Sequence, residues 1–138
     1  MFGKYKHTVD PKGRLFVPSK LREELGDAFY VTVSPDHCLS VYTEESWRHI
    51  VDKYNSLPVS QARRMRMILA NAAKCEPDKQ GRFLIPADLR SYADLRQEVT
   101  FIGQGGHAEI WDSETYDALE QSELTPENLA AVMEELGF

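Results

Sequence analysis

Apolar residues in this chain come in short runs that end abruptly at turn-forming residues. Leu15-Phe16-Val17 stops at Pro18, and Phe83-Leu84-Ile85 stops at Pro86. Runs of this length read as strands, and Pro, which has no N–H to give a ladder, ends them. Tyr5 to Val9 and Arg14 to Val17 therefore read as the two strands of a hairpin around a turn at Asp10–Gly13. Four more strands follow the same logic: Phe29 to Ser34, Cys38 to Tyr42, Val99 to Ile102 and Ala108 to Trp111. Pro35-Asp36 and Gly103 to Gly106 supply the turns between them. Elsewhere the period changes to that of a helix. Short helices are predicted at Ser19 to Leu25, with Gly26 at the C-cap, and at Ala87 to Tyr92. Thr43-Glu44-Glu45-Ser46 is a helix start with acids in its first turn; that helix runs to about Ser56 and ends at Pro58. A further helix begins near Ser60 with Met65, Ile68 and Leu69 on one stripe, and another spans Asp112 to Gln121. Thr125-Pro126 opens a last helix, Thr as N-cap and Pro in the first turn. Its face of Leu129, Val132, Met133 and Leu136 is expected to pack on the chain's own core, with a subunit contact as the alternative.

The pattern is duplicated. Asp10-Pro11-Lys12-Gly13-Arg14, three apolar residues, Pro18, then Leu21-Arg22 returns as Asp78-Lys79-Gln80-Gly81-Arg82, three apolar residues, Pro86, then Leu89-Arg90. Beyond the motif, Val31-Thr32-Val33 answers Val99-Thr100-Phe101 and, after a one-residue insertion, Leu39 to Tyr42 answers Ala108 to Trp111. Such a period decides the architecture before any single element does. Asp suits the turn because it bonds its own backbone, and Gly13 and Gly81 because they accept a positive φ. A unit of about four short strands and one helix buries too little apolar surface to stand alone and leaves open edges. Two units are expected to close into one α+β body with a pseudo-twofold axis. The divisions read as 1–58 (first repeat with its following helix), 59–73 (a connecting helix), 74–121 (second repeat with its following helix) and 122–138 (C-terminal helix).

Charge changes the picture more than composition does. The net charge of −6 conceals a polarity along the chain. Residues 1–22 hold Lys4, Lys6, Lys12, Arg14, Lys20 and Arg22 against one acid, Asp10, and Arg63, Arg64 and Arg66 form a second basic run. From Gln97 onward no Lys or Arg occurs, while ten acids do. Local fields rather than net charge govern encounter with a charged partner, so one basic face can meet a polyanion. Other chemistry is sparse. Cys38 and Cys75 are widely separated and read as structural, reduced thiols, and no close ligand pairs suggest a metal. The Gly-rich segment 103–106 lies between strands and so is no phosphate loop. Catalysis, a cofactor and a small-molecule ligand are not expected. No apolar stretch is long enough for a membrane span, and the first residues lack a signal core, which points to the cytoplasm.

With the paired Asp-x-x-x-Arg motifs, the apolar-run-Pro-x-x-Leu-Arg that follows each, and the Met-Phe start, the chain resembles the MraZ family of bacterial transcription regulators, relatives of the AbrB-type swapped-hairpin DNA-binding domains. The resemblance covers nearly the whole length. It implies two tandem AbrB-like βαββ-type repeats closing into one swapped-hairpin barrel with peripheral helices. It implies ring-shaped homo-oligomers on the nucleoid that bind tandem direct repeats in double-stranded DNA. The gene cluster implied is that of division and cell-wall synthesis, including the protein's own gene, with repression as the regulatory sense. It also implies that the motif arginines, Arg14 and Arg82, contact DNA.

The residues support the same reading independently. A two-stranded ribbon fits the major groove. Lys4, Lys6, Lys12 and Lys20 would neutralise phosphates, with His7 beside them, while Arg14 would read a guanine edge through the guanidinium fork. Asp10 and Asp78, with Gly13 and Gly81, are assigned to the turns, since a carboxylate repels phosphate. For both arginines the competing role is an internal ion pair with the turn aspartate. A rival function is an assembly module that binds no DNA, its basic face stacking on the acidic face of a neighbouring subunit.

Overall fold

The computed structural model describes residues 1–138. In chain order the first repeat supplies β1 (Lys4–Thr8), β2 (Arg14–Phe16), a 3₁₀ turn (Ser19–Leu21) leading into α1 (Arg22–Leu25), β3 (Phe29–Val33), β4 (Leu39–Thr43) and α2 (Glu44–Ser56). The link contains α3 (Val59–Ala62), a 3₁₀ turn (Arg63–Met65) and α4 (Arg66–Ala70). The second repeat supplies β5 (Ala73–Cys75), β6 (Arg82–Leu84), α5 (Ala87–Tyr92), β7 (Glu98–Gly103), β8 (Ala108–Asp112) and α6 (Ser113–Glu123), and α7 (Pro126–Leu136) closes the chain. Each repeat therefore runs ββαββ, the four strands and one helix read from the residues and one strand more than the βαββ-type unit that the resemblance implied. The strands end where the turn chemistry said they would. Thr43 caps α2, its Oγ1 accepting from the Ser46 N–H at 3.1 Å, and Thr125 caps α7, accepting from Asn128 N–H at 3.2 Å.

Pairing departs from the expected hairpins. β1 does not pair with β2: it pairs antiparallel with β7 of the other repeat, while β5 pairs with β3 of the first. β2 leaves the turn to pair with β6, its counterpart. All pairing is antiparallel, in a six-stranded sheet of order β1-β7-β8-β4-β3-β5 and a separate β2-β6 ribbon. Exchanging the repeats reverses that order onto itself, so the pseudo-twofold axis passes between β4 and β8 and through the ribbon. The expected barrel is not closed by a continuous ladder: β1 and β5 remain edges, and the ribbon covers the sheet.

The ladder also corrects the alignment of the repeats. Phe29 faces Thr43 as Val99 faces Asp112, and Phe29 faces Cys75 as His7 faces Val99. Phe29 is therefore the counterpart of Val99, and Val31 that of Phe101, two positions away from the match of Val31-Thr32-Val33 to Val99-Thr100-Phe101. The two extra residues lie in the connection before β7. Arg96 in that connection grips Asp112, the residue preceding α6, through Nη2–Oδ2 at 2.6 Å and the backbone N–H at 3.1 Å. Burial pushes the Asp112 carboxyl up, and the hydrogen bonds and charge of Arg96 outweigh it, leaving the pKa lowered.

Between sheet and ribbon lies one core. Leu15, Val17, Phe83 and Ile85 from the ribbon strands and the residues just beyond them meet Phe29, Val31, Val41, Val99, Phe101 and Ile110 from the sheet. Phe29 and Phe83 pack edge to face at 5.0 Å, a geometry that adds about 0.5–1.5 kcal/mol to the burial itself. Leu21 and Leu89 of the repeated Leu-Arg pairs close the core at either end, each buried. Cys38 and Cys75 are buried free thiols, both pushed up to about 12, chiefly by burial, and so poor nucleophiles.

The peripheral helices pack less than expected. The single connecting helix of 59–73 is three short segments; Arg63 and Arg66 stand three apart, where like charges disfavour a regular helix. α7 does not pack on the core: none of its residues is buried, and Leu129, Val132, Met133 and Leu136 are exposed. No helix is long and apolar enough to cross a membrane.

Candidate nucleic-acid interface

The two motif turns are built alike. Asp10 Oδ1 accepts the N–H groups of Lys12 (2.9 Å) and Arg14 (2.8 Å), and the Asp10 and Gly13 N–H groups bond the Arg14 and Asp10 carbonyls. Asp78 repeats this with Gln80 and Arg82, both at 2.9 Å. Each carboxylate is held below the usual range, first by the N–H of its motif arginine and then, against some desolvation, by the guanidinium and the second N–H. Each aspartate thus ties its own turn together.

The ion pairs weighed against DNA contact also form. Arg14 Nε meets Asp10 Oδ2 at 2.7 Å, and Arg82 Nε meets Asp78 Oδ2 at 3.0 Å. In each, Nε is engaged, while the two terminal nitrogens make no hydrogen bond within the chain. The carboxylate therefore aims the arginine, and the outer edge of the fork stays available for a bidentate acceptor.

Alternation on the ribbon then sorts its side chains. Leu15 and Phe83 point into the core; Arg14, Phe16, Arg82 and Leu84 point outward. Arg14 stands opposite Leu84, and Phe16 opposite Arg82. The twofold relation therefore places both arginines on one outer face, on a diagonal, with an exposed apolar side chain across the ribbon from each.

Two cations that the sequence did not assign to the DNA contact, Arg22 and Arg90, join them. Arg22 reaches across to the second repeat's turn, its Nη2 bonding the Gln80 carbonyl at 3.4 Å and its Nε the Val17 carbonyl at 3.3 Å. Arg90 does the converse, bonding the Ile85 carbonyl at 3.0 Å and lying over Gly13. The repeated Leu-Arg that ends the motif was the available signal: Leu enters the core and Arg covers the opposite turn. Each turn thus carries three bases, Lys12, Arg14 and Arg90 at one and Lys79, Arg82 and Arg22 at the other.

This crossing gives the motif glycines a second reason to exist. Gly13 has φ +83°, and a Cβ there would lie 2.7 Å from the Arg90 guanidinium carbon; Gly81, at φ +84°, would collide with Arg22. The left-handed conformation alone costs an L-residue about 1–2 kcal/mol. Gly13→Ala is expected to lower unfolding free energy by about that amount in urea titration, and Gly13→Asn by less, since Asn tolerates this region.

The remaining candidates stand elsewhere. Lys4 and Lys6 project from the outer side of β1 and pair with acids of α6, Lys4 with Glu120 and Lys6 with Asp117 at 3.3 Å. The Lys4 hydrogen bond is the main reason the Glu120 pKa is lowered. His7 faces the other way, half-buried and edge-on to Phe101, its pKa lowered by burial and by Arg22; it is not part of an exposed basic cluster. Lys12 and Lys20 are exposed and unpaired. No group of three His, Cys, Asp or Glu side chains is placed to hold a metal ion.

The family model described as "MraZ protein, putative antitoxin-like" matches twice, over residues 1–67 and 68–136, once per structural repeat. A protein of Halothermothrix orenii named transcriptional regulator MraZ is 43% identical over 99% of this chain and 98% of its own length. Proteins of the same name from a Thermoanaerobacter species (44% identical, 100% and 99%) and Carboxydothermus hydrogenoformans (48%, 83% and 82%) are similar.

Proposed function

Because this chain belongs to the MraZ family, we propose that it is a transcriptional regulator that binds double-stranded DNA sequence-specifically through the outer face of its β2–β6 ribbon. The observation that carries this reading is the diagonal pair of Arg14 and Arg82, each anchored by Nε to a turn aspartate with its outer edge open. An anchored guanidinium loses less freedom on contact, and its fork matches the O6 and N7 acceptors of guanine in the major groove. Lys12, Lys20, Arg22, Lys79 and Arg90 flank the pair and neutralise phosphate, setting register without reading sequence. Lys4 and Lys6, already paired with α6, contribute little.

One ribbon is a small footprint. Several subunits on tandem repeats convert weak single contacts into a tight assembly through effective concentration. We therefore place the working form as a homo-oligomer, a ring, on direct repeats before its own gene in the division and cell-wall cluster, acting as a repressor in the cytoplasm.

Arg14 is the test. Its removal leaves the Asp10 turn intact, because the backbone bonds to Asp10 Oδ1 do not involve the guanidinium. Arg14→Ala is expected to abolish preference for the upstream DNA over scrambled DNA in an anisotropy titration, with unchanged circular dichroism. Arg14→Lys is expected to keep salt-sensitive, unspecific binding and lose the preference. Wild-type preference in both variants would reduce Arg14 to a turn residue and favour the assembly-module reading.

A further inference from the structure

Phosphate contacts and two arginine forks leave the apolar half of the ribbon's outer face without a role. Phe16 is 42% exposed and Leu84 56% exposed, on strands whose neighbouring positions, Leu15 and Phe83, are almost fully buried. Neither is needed to complete the core, and both stand on the surface that carries Arg14 and Arg82. What sets these two apart from the chain's other exposed apolar residues is their place: they share one face with the two motif arginines, where a bound duplex would cover them.

We propose, resting on the DNA-binding reading above, that Phe16 and Leu84 are specificity-determining residues that pack on thymine C5-methyl groups beside the guanines held by Arg14 and Arg82. The thymine methyl is the one apolar group that a base pair offers in the major groove. The spacing suits it. Residues two apart on a strand, such as Arg14 and Phe16, are separated by roughly 6.8 Å, and two base steps along one DNA strand by roughly the same distance. Leu84 is the direct cross-strand neighbour of Arg14, and side chains so placed lie about 5 Å apart, close enough for adjacent bases. The ribbon thus presents an arginine and an apolar side chain together at each end.

The two ends are not equal. Phe16 is larger than Leu84, Lys12 answers Gln80, and Lys20 answers Asp88. A pseudo-twofold ribbon with unequal apolar contacts reads a site that is not a palindrome, and so fixes the direction of each subunit on the duplex.

The experiment is an anisotropy titration of the full chain against the duplex upstream of its own gene. The duplex is made once with thymine and once with uracil throughout, which removes only the methyl groups. Scrambled duplexes of both kinds serve as controls, and wild type is compared with Phe16→Ala and Leu84→Ala. Both positions are exposed, so circular dichroism and urea midpoints should stay at wild type. Wild type is expected to bind the uracil duplex about fourfold more weakly per contacted methyl. Each variant is expected to bind the thymine duplex more weakly than wild type does and to lose part of its sensitivity to uracil. If wild type prefers the upstream sequence but binds thymine and uracil duplexes alike, or if the variants remain fully sensitive, the methyl contact is wrong and the DNA-binding reading stands. If no protein prefers upstream over scrambled DNA, the DNA-binding reading falls and this inference with it.

Discussion

Raising salt from about 50 to about 200 mM is expected to lower the affinity of the assembled protein for its specific DNA by roughly 10³–10⁵. The size follows from the cations that the fold leaves available. The six bases of the first 22 residues do not act as one cluster. Lys4 and Lys6 project from the outer side of β1, away from the ribbon, and pair there with Glu120 and Asp117. Lys12, Arg14, Lys20 and Arg22 remain, joined by Lys79, Arg82 and Arg90 from the second repeat through the crossing of Arg22 and Arg90 between turns. A few of these per subunit, multiplied over several subunits, reach roughly the six to ten phosphates that such a slope requires. Equilibrium binding measured at four or five salt concentrations gives the slope directly. Lys12→Ala should flatten it and Lys4→Ala should leave it nearly unchanged. A slope near zero for the wild-type assembly would remove phosphate contact from the mechanism.

That redistribution of charge also marks where sequence reading succeeds and where it stops. Features that depend on a few neighbouring residues were legible. They include the Asp-Gly turns, Pro18 and Pro86 as strand ends, Thr43 and Thr125 as caps, and the motif repeat itself. Features that depend on partner choice were not. The alternation of Tyr5, His7 and Val9 is the same whether β1 pairs with β2 or with β7, so the exchange of strands leaves no local trace. The likeness of Val31-Thr32-Val33 to Val99-Thr100-Phe101 pointed to a register two residues wrong, because the added residues before β7 carry no turn signal of their own. At the site, Arg14 and Arg82 could be named from the motif. That each is tethered by one nitrogen and open at the others depends on rotamer geometry. That Arg22 and Arg90 serve the opposite turns depends on the twofold axis.

The acidic end of the chain carries the other large expectation. Replacing Leu129 and Val132 together by Glu is expected to disperse the assembly and to weaken specific DNA binding by about 10²–10⁴, the range by which linked sites exceed single ones. The local physics of α7 supports a partner. It is an 11-residue helix, below the length at which helices persist unaided in water. Its last turn holds Glu134 and Glu135 and no base, the wrong sign for a helix C-terminus. Its start is well made, with Thr125 as cap, Pro126 behind it and Asn128 Nδ2 bonding the carbonyls of Ser122 and Glu123, yet no residue of it is buried against its own chain. A helix with an exposed stripe of Leu129, Val132, Met133 and Leu136 and no packing of its own gains stability only by covering that stripe. In the homo-oligomer proposed above, a second subunit is the partner that would cover it. Glu is a better helix former than Val and about equal to Leu, so the double substitution does not act by breaking the helix. Sedimentation velocity should then show monomers, with far-ultraviolet circular dichroism lowered by no more than the helicity of α7, and anisotropy on the upstream duplex should show the loss of affinity. An assembly of unchanged size would place the subunit contact elsewhere. Monomers that bind as tightly as wild type would show that a single ribbon suffices.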